Sequence, residues 1–246
     1  MIRNFGVIGY PLGHSFSPDY FAKKFKRENL IHCTYKAFPV KDINELLQLI
    51  SDHHLSGVNV TIPYKEKVLP LLHETDDTAK RVGAVNCIRV TEGRLYGFNT
   101  DVWGFTQSIL PLLAEVEKEH PKALVLGTGG ASKAVMESFR LLNIECATVS
   151  RGKEGDYLYS DLNKNILHSY DIIVNTTPLG MSPDIESCPE IPYEYLKKTH
   201  FLIDLIYNPK KTVFLTKGLQ HHCTIKNGSD MLVYQAEKSW EIWNQK

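Results

Sequence analysis

The run Gly57-Val58-Asn59-Val60-Thr61-Ile62-Pro63-Tyr64-Lys65-Glu66 places an amide, a hydroxyl and an ammonium close together. Val58, Val60 and Ile62 alternate with Asn59 and Thr61, the pattern of a strand with one apolar face. Pro63 cannot continue a central strand but suits the start of a helix. Asn59, Thr61 and Lys65 are thereby expected at the carboxyl end of a strand, where α/β sheets bind ligands. An ammonium there can stabilise charge on a reacting oxygen and protonate it. The other reading is a solvated lysine at a helix start, where most lysines are exposed. A helix N-terminus would disfavour its charge, and a carboxylate partner would favour it.

Four further runs could contribute. His14-Ser15-Phe16-Ser17-Pro18 presents two hydroxyls near a helix N-terminus, either a neutral cradle for a carboxylate or a simple cap. Gly83-Ala84-Val85-Asn86 sets an amide at the start of a strand. Gly97-Phe98-Asn99-Thr100-Asp101 ends a strand and opens a helix, so Asp101 is an N-cap or a catalytic carboxylate. Leu124-Val125-Leu126-Gly127-Thr128-Gly129-Gly130-Ala131-Ser132 reads as strand, tight turn and helix start. Such a turn brings backbone N–H groups to a pyrophosphate, with Ser132 standing where the fingerprint has Gly or Ala. About twenty residues on, where an acidic residue would meet a free ribose hydroxyl, stand Ser150-Arg151-Gly152-Lys153. A guanidinium there favours the 2′-phosphate of NADP over NAD. The alternative is an ordinary surface arginine.

The elements that must position these residues alternate between short apolar runs and amphipathic helices, the sign of an α/β protein. Strands are expected at Phe5–Tyr10, Tyr35–Val40 and Gly57–Ile62. Helices are expected at Ser17–Glu28, capped by Ser17, at Asp42–His53, at Tyr64–His73 and at Asp76–Val82. Ala84–Val90 and Leu95–Phe98 form a hairpin around Glu92-Gly93-Arg94. A helix follows from Thr100. After Pro121 come strands at Ala123–Leu126, Cys146–Ser150, Asp171–Asn175 and Phe201–Leu205, with a helix at Ala134–Leu142. The segment from Arg151 to Asp171 is only weakly helical, so one crossover helix is expected to be truncated. A final helix from Asp230 is expected to pack back on the first domain. Two domains result: residues 1–102 with 228–246, an α/β substrate domain, and residues 103–227, a Rossmann-like NADP-binding domain.

Lysine plus arginine equals aspartate plus glutamate at 28 each over 246 residues. Such balance gives no electrostatic bias toward nucleic acid or an acidic membrane. No signal-peptide pattern or membrane-length apolar run is present, so a cytoplasmic protein is expected. The five cysteines, Cys33, Cys87, Cys146, Cys188 and Cys223, are scattered without a C-x-x-C pair. They suggest neither a disulfide framework nor a zinc site. The adjacent pairs His53-His54 and His221-His222 lack the spacing of metal ligands, and no metal is expected.

The motifs H-S-x-S-P, N-V-T-I-P-Y-K-E, G-A-V-N, N-T-D, G-T-G-G-A-S, N-T-T-P-L-G-M and M-L-V-Y-Q-A occur in this order over nearly the whole chain. The set resembles the shikimate dehydrogenase family, which reduces 3-dehydroshikimate to shikimate with NADPH on the route to aromatic amino acids. The resemblance implies Lys65 and Asp101 as the catalytic pair, and Ser15 and Ser17 on the substrate carboxylate with help from Tyr207. Thr61, Asn86 and Gln235 would hold ring hydroxyls, beside Asn59. Gly127, Thr128, Gly129, Gly130, Ala131 and Ser132 would hold the pyrophosphate, and Ser150 and Arg151 the adenosine phosphate. Thr176, Gly228 and Met231 would flank the nicotinamide. The expected partners are a small-molecule substrate and NADP, in a monomer or homodimer.

Three departures from the family pattern stand out. Phe98 precedes Asn99 where some members carry a polar residue. The loop after Arg151 is short. The chain ends soon after Gln235, so the extra C-terminal helix of longer relatives is not expected. Rival readings are a broader quinate/shikimate dehydrogenase using NAD, a folate-linked dehydrogenase, and a cofactor-binding protein without catalysis. Arg151 speaks against the first, the serine cradle against the second, and intact Lys65 and Asp101 against the third.

Overall fold

The computed structural model describes residues 2–12, 15–116 and 118–245, so His14 of the serine run lies outside the described residues. The chain divides into two compact units, Met1–Trp103 with Gln235–Lys246, and Gly104–Tyr234. The return to the first unit comes at Gln235 rather than at Gly228. The reason is packing: Met231 is buried with Phe105, Ile109 and Phe139 in the second unit's core.

The first unit contains β1 (Arg3–Gly9), α1 (Phe16–Arg27), β2 (Cys33–Pro39), α2 (Leu46–Asp52), β3 (Leu55–Val60), β4 (Glu74–Thr75), α3 (Asp77–Val82), β5 (Cys87–Thr91), β6 (Arg94–Phe98) and the start of α4 (Thr100–Leu113). Its mixed sheet has the order β2-β1-β3-β5-β6-β4. β1 pairs in parallel with β2 and β3, whereas β5 is antiparallel to both β3 and β6. The β5–β6 hairpin turns through Glu92 and Gly93, whose φ values are 52° and 74°. Two left-handed residues are what a two-residue hairpin turn needs to follow the strand twist. One sheet face packs Ile8, Val58, Val60 and Ile88 against Leu46 and Ile50 of α2. The other packs Phe5, Phe21, Phe25 and Cys87 against Ala236, Ile242 and Trp243.

In the second unit, β7 (Lys122–Leu126), α5 (Gly130–Leu141), β8 (Glu145–Ser150), β9 (Tyr157–Leu158), α6 (Lys164–His168), β10 (Ile172–Asn175), β11 (Phe201–Asp204), α7 (Val213–Gln220) and β12 (Thr224–Lys226) precede α8 (Ser229–Asn244). The strand order is β12-β11-β10-β7-β8-β9, and every pair is parallel. The chain builds outward from β7 in one direction and restarts at β10 in the other. The β7/β10 boundary is thus the switch point at which doubly wound sheets take their ligands. α6 is the truncated crossover, five residues long.

Two local expectations change. Tyr64–His73 is not an α-helix; after a few turns only Leu69–Leu71 forms a 3-10 helix. Pro70 explains this, because it lacks an N–H and clashes with the carbonyl four residues back. α1 starts at Phe16, so Ser15 is the N-cap and Ser17 and Pro18 lie in the first turn. Proline is tolerated throughout that turn, where its missing N–H would have had no helical partner.

α8 returns to the first unit because its second half carries aromatic residues. Trp243 stacks on Phe5 at 4.8 Å and Trp240 meets Phe5 edge-on at 5.5 Å. The Trp243 indole also donates to the carbonyl of Ile88 at 2.9 Å.

Asp204, at the carboxyl end of β11, is fully buried. Its carboxylate accepts from Asn175 Nδ2 at 3.1 Å, from the Ile206 N–H at 3.0 Å and from Thr212 Oγ1 at 2.6 Å. Burial pushes it up from 3.8 to about 6, with these hydrogen bonds pulling the other way. A carboxyl that binds its proton more tightly when folded stabilises the fold most below about pH 4. That contribution, on the order of 3 kcal/mol, is lost as pH rises through about 6. Urea unfolding of wild type and Asp204→Asn between pH 4 and 7 isolates it. Relative to the variant, wild type is expected to lose stability as pH rises; a gain would contradict the assignment.

Candidate active site

Asn59 opens the site from the strand side. Its neighbours Val58 and Val60 enter the α2 core, so its own side chain points to the sheet face that α8 covers. The polar face of β3 is consequently interior, and Asn59 is buried. Beyond β3 the chain turns at Pro63, and Tyr64 pins the turn by donating to the carbonyls of Val40 and Lys41 at 2.8 and 2.7 Å. The Val85 N–H donates to the Lys65 carbonyl at 2.8 Å, which ties Lys65 to the segment carrying Asn86.

From there Lys65 Nζ reaches Asp101 Oδ2 at 2.6 Å. The pair is partly sheltered, with side-chain exposures of 27% for Lys65 and 13% for Asp101. Such shelter strengthens an ion pair relative to one on an open surface. Asp101 is free for this role because Asn99 does the capping. Asn99 Oδ1 accepts from the N–H groups of Asp101 and Val102 at 3.1 and 3.3 Å, and Asn99 Nδ2 donates to the Ala84 carbonyl at 2.9 Å. Lys65 itself lies in a turn rather than in an α-helix, and its contact with Asp101 sets its ammonium at the first turn of α4.

Asn86 holds the second carboxylate oxygen. Its Nδ2 donates to Asp101 Oδ1 at 2.8 Å and to Thr100 Oγ1 at 3.0 Å, and its Oδ1 accepts from the Thr100 N–H at 2.7 Å. Both amide hydrogens are therefore engaged inside the protein. Thr100 Oγ1 in turn lies 3.5 Å from Gln235 Oε1. Asn59 is engaged in the same way, donating to the Asn86 carbonyl at 3.2 Å and to Ser239 Oγ at 2.9 Å. Cys87, beside this network, has its thiol pushed up to about 12 by burial, so it adds no charge at neutral pH.

The serine cradle is built differently. Ser15 is an N-cap by backbone position, yet its hydroxyl makes no capping bond. Ser17 lies beside the phenol of Tyr35, whose proton affinity burial raises well above the usual tyrosine range. Thr61 is half-buried, and its hydroxyl carries no hydrogen bond to a described residue. Tyr207 belongs to the second unit, in the loop after β11.

The glycine turn leaves β7 at the switch point. Gly127 has φ 108°, a left-handed conformation that disfavours a side chain, and a Cβ there would lie 2.9 Å from Thr176 Oγ1. Thr176 Oγ1 donates to the Leu126 carbonyl at 2.7 Å, bracing the end of β10 against β7. Thr128 precedes Gly129, the N-cap of the twelve-residue helix α5. Beside Gly129 and Gly130, nothing lies within 4 Å of where a Cβ would stand. Open space at a helix N-terminus with unpaired N–H groups suits a pyrophosphate. Ser132 is 1% exposed, and its Oγ has no hydrogen-bond partner among the described residues. Its small size serves close packing, and only its backbone, like that of Ala131, can offer an N–H outward. Ser150 is also buried and donates to the Gly152 carbonyl, shaping the loop from which exposed Arg151 projects. The donors and open backbone of this turn fit a dinucleotide phosphate.

Met231 is buried in the apolar core of the second unit, and Gly228 lies at the start of α8. Sequence reading passed over Tyr35, Thr100 and Ser239, the residues that join the site's polar groups. A usable signal was present in Ser239, a polar residue on the stripe of Ala236 and Trp243 that α8 buries. No helix among the described residues is long and apolar enough to cross a membrane.

Known proteins share this architecture. A family model described as the shikimate dehydrogenase substrate binding domain matches residues 7–88. The shikimate dehydrogenase (NADP(+)) of Methanococcus maripaludis is 36% identical over 260 residues, covering 98% of this chain and 91% of that protein. A chorismate mutase/shikimate 5-dehydrogenase fusion protein from Clostridium acetobutylicum matches in structure with a TM-score of 0.89 at 32% identity, over 99% of this chain and 92% of that one. The shikimate 5-dehydrogenase of Thermus thermophilus, solved with NADP(H) and shikimate, matches with a TM-score of 0.86 at 29% identity, over 99% and 94% of the two chains. Similarity of this degree along nearly the whole sequence means that the chain belongs to the shikimate dehydrogenase family.

Proposed function

We propose that this protein is an NADP-dependent oxidoreductase that interconverts 3-dehydroshikimate and shikimate, with Lys65 and Asp101 as its acid–base pair. The observation that carries the reading is the Lys65–Asp101 contact at 2.6 Å, made by a carboxylate that Asn99 has relieved of capping. NADPH, when bound, supplies a hydride to the ketone carbon. Charge then develops on the ketone oxygen, and the Lys65 ammonium stabilises it and delivers the proton. In the reverse direction Lys65 takes the proton from the alcohol. Asp101 keeps the ammonium aimed, and Asn86 keeps Asp101 aimed.

Ser15 and Ser17 hold the substrate carboxylate. Thr61 is the best placed of the remaining groups to meet a ring hydroxyl, since its own hydroxyl has no partner among the described residues. Gln235 and Asn86 serve the ring hydroxyls only by exchanging bonds they already make. The backbone from Gly127 to Ser132 holds the pyrophosphate, and Ser150 and Arg151 border the adenosine phosphate. Thr176, Gly228 and Met231 belong to the nicotinamide end.

The test is NADPH oxidation by the purified chain with 3-dehydroshikimate, repeated with 3-dehydroquinate. Turnover favouring 3-dehydroshikimate is expected; turnover only with dehydroquinate would replace the reading. For the cofactor, Arg151→Ala is expected to raise the KM for NADPH about thirtyfold, the scale of one or two charge-assisted bonds. The KM for NADH should hardly move. Equal losses for both would refute a 2′-phosphate contact.

A further inference from the structure

Ser239 is 0% exposed, Thr100 1% and Asn59 5%, all polar and all in the interior of the first unit. Buried polar groups weaken a core unless their hydrogen bonds are satisfied, and satisfied networks rigidify what they join. Here the hydrogen bonds converge on one atom, Ser239 Oγ. Ser239 Oγ donates its only proton to the Gln235 carbonyl at 3.0 Å, the bond a helical serine makes to the preceding turn. Its lone pairs are then left to accept. Asn59 Nδ2 donates to them at 2.9 Å, and Thr100 Oγ1 stands 3.3 Å away, its one proton shared among Ser239, Asn86 Oδ1 at 3.2 Å and Gln235 Oε1 at 3.5 Å.

Two arms leave this atom. One runs from Thr100 to Asn86 and on to Asp101 Oδ1. The other runs from Asn59, whose Oδ1 accepts from the Tyr35 hydroxyl at 2.8 Å, to that phenol, beside which the Ser17 hydroxyl lies. Asn59 also donates to the Asn86 carbonyl, which closes a ring across β3 and β5. None of Tyr35, Asn59 and Ser239 is within hydrogen-bond reach of Lys65 or Asp101 directly, yet each constrains the amide that holds Asp101.

We propose that Ser239 is a positioning residue, the node through which the Ser17–Tyr35–Asn59 arm and the Thr100–Asn86–Asp101 arm hold each other in register. Seating of the substrate carboxylate on Ser17 and aim of the acid–base pair are then one coupled adjustment. The inference rests on the reading of Lys65 and Asp101 as the catalytic pair.

The test is a double-variant cycle in the full chain, reading kcat and KM for 3-dehydroshikimate. Ser239→Ala is expected to lower kcat about tenfold, the scale of one lost buried hydrogen bond, with KM within about twofold. Tyr35→Phe keeps the ring and removes only the hydroxyl; it is expected to lower kcat about threefold and raise KM. Combined, the two should lose little more kcat than Ser239→Ala alone, because residues in one network are not additive. A double loss equal to the product of the single losses would overturn the proposal, as would wild-type kcat in Ser239→Ala. Should Ser239→Ala lack a cooperative thermal transition, Tyr35→Phe decides: a lowered kcat supports the relay and an unchanged one overturns it. Lys65→Ala in the same assay separates the two levels. If it turns over normally, the catalytic pair itself is wrong; if it is inactive while Ser239→Ala is normal, only the relay is.

Discussion

Lys65→Ala lowers kcat by about a thousandfold, the middle of the range for a lost general acid, while KM for 3-dehydroshikimate changes only a few-fold. The asymmetry follows from where the charge forms. In the ground state the ketone oxygen is neutral and Lys65 satisfies Asp101 at 2.6 Å, so the ammonium contributes little to binding. In the transition state the oxygen becomes anionic, and the ammonium is worth most at that moment. The fold should survive the change, because the pair is partly solvated and Asn86 still donates to Asp101 at 2.8 Å. Steady-state kinetics beside a thermal melt read both properties. A variant with near-normal kcat would remove Lys65 from the mechanism. One with kcat and melting temperature lowered together would show a structural lysine instead.

Gly228→Ala produces the largest loss of stability. A Cβ at this position would stand 2.0 Å from the Leu205 carbonyl oxygen and 2.6 Å from its carbon. Both are backbone atoms, so no side-chain rotation relieves the overlap. The Gly228 N–H donates to the Ile206 carbonyl at 3.1 Å, and its own carbonyl accepts from Leu232 at 3.2 Å as α8 begins. The methyl can be accommodated only by moving α8 away from the end of β11. Overpacking of this kind costs about 3 kcal/mol or more. For a chain of this length that is a fall in melting temperature of about 10 °C. Calorimetry or far-UV circular dichroism on the two proteins measures it, and a shift of less than about 2 °C would contradict the close approach.

Much of this was legible in the sequence because it depends on periodicity and on backbone punctuation. Glu92-Gly93 announced the hairpin, the glycine turn announced the β7–α5 junction, and the weak segment after Arg151 announced the five-residue α6. The face of Leu232, Ala236 and Trp240 pointed to the return of α8, since an amphipathic helix with no following strand must bury its apolar face elsewhere. Tyr64–His73 matches a helix in its apolar spacing, but Pro70 breaks it.

The role of Asp101 could not be read from its neighbours alone. Asn99 and Asp101 are both good caps, and only the geometry assigns the cap to Asn99. The polar network was less legible still. Tyr35, Asn59, Thr100 and Ser239 come from four separate elements or their junctions, and nothing in local spacing brings them together. A serine on the apolar stripe of α8 was the one trace they left.

Hydride delivery from NADPH to 3-dehydroshikimate, with Lys65 supplying the proton, is tested by the fate of deuterium. With NADPH deuterated at the transferring position of C4, in ordinary water, the product shikimate is expected to carry one carbon-bound deuterium; unlabelled NADPH in heavy water should leave that carbon unlabelled. Run in parallel, Lys65→Ala is expected to form almost no labelled product. Shikimate without carbon-bound deuterium in the first experiment, or labelled product from the variant at the wild-type rate, would contradict the claim.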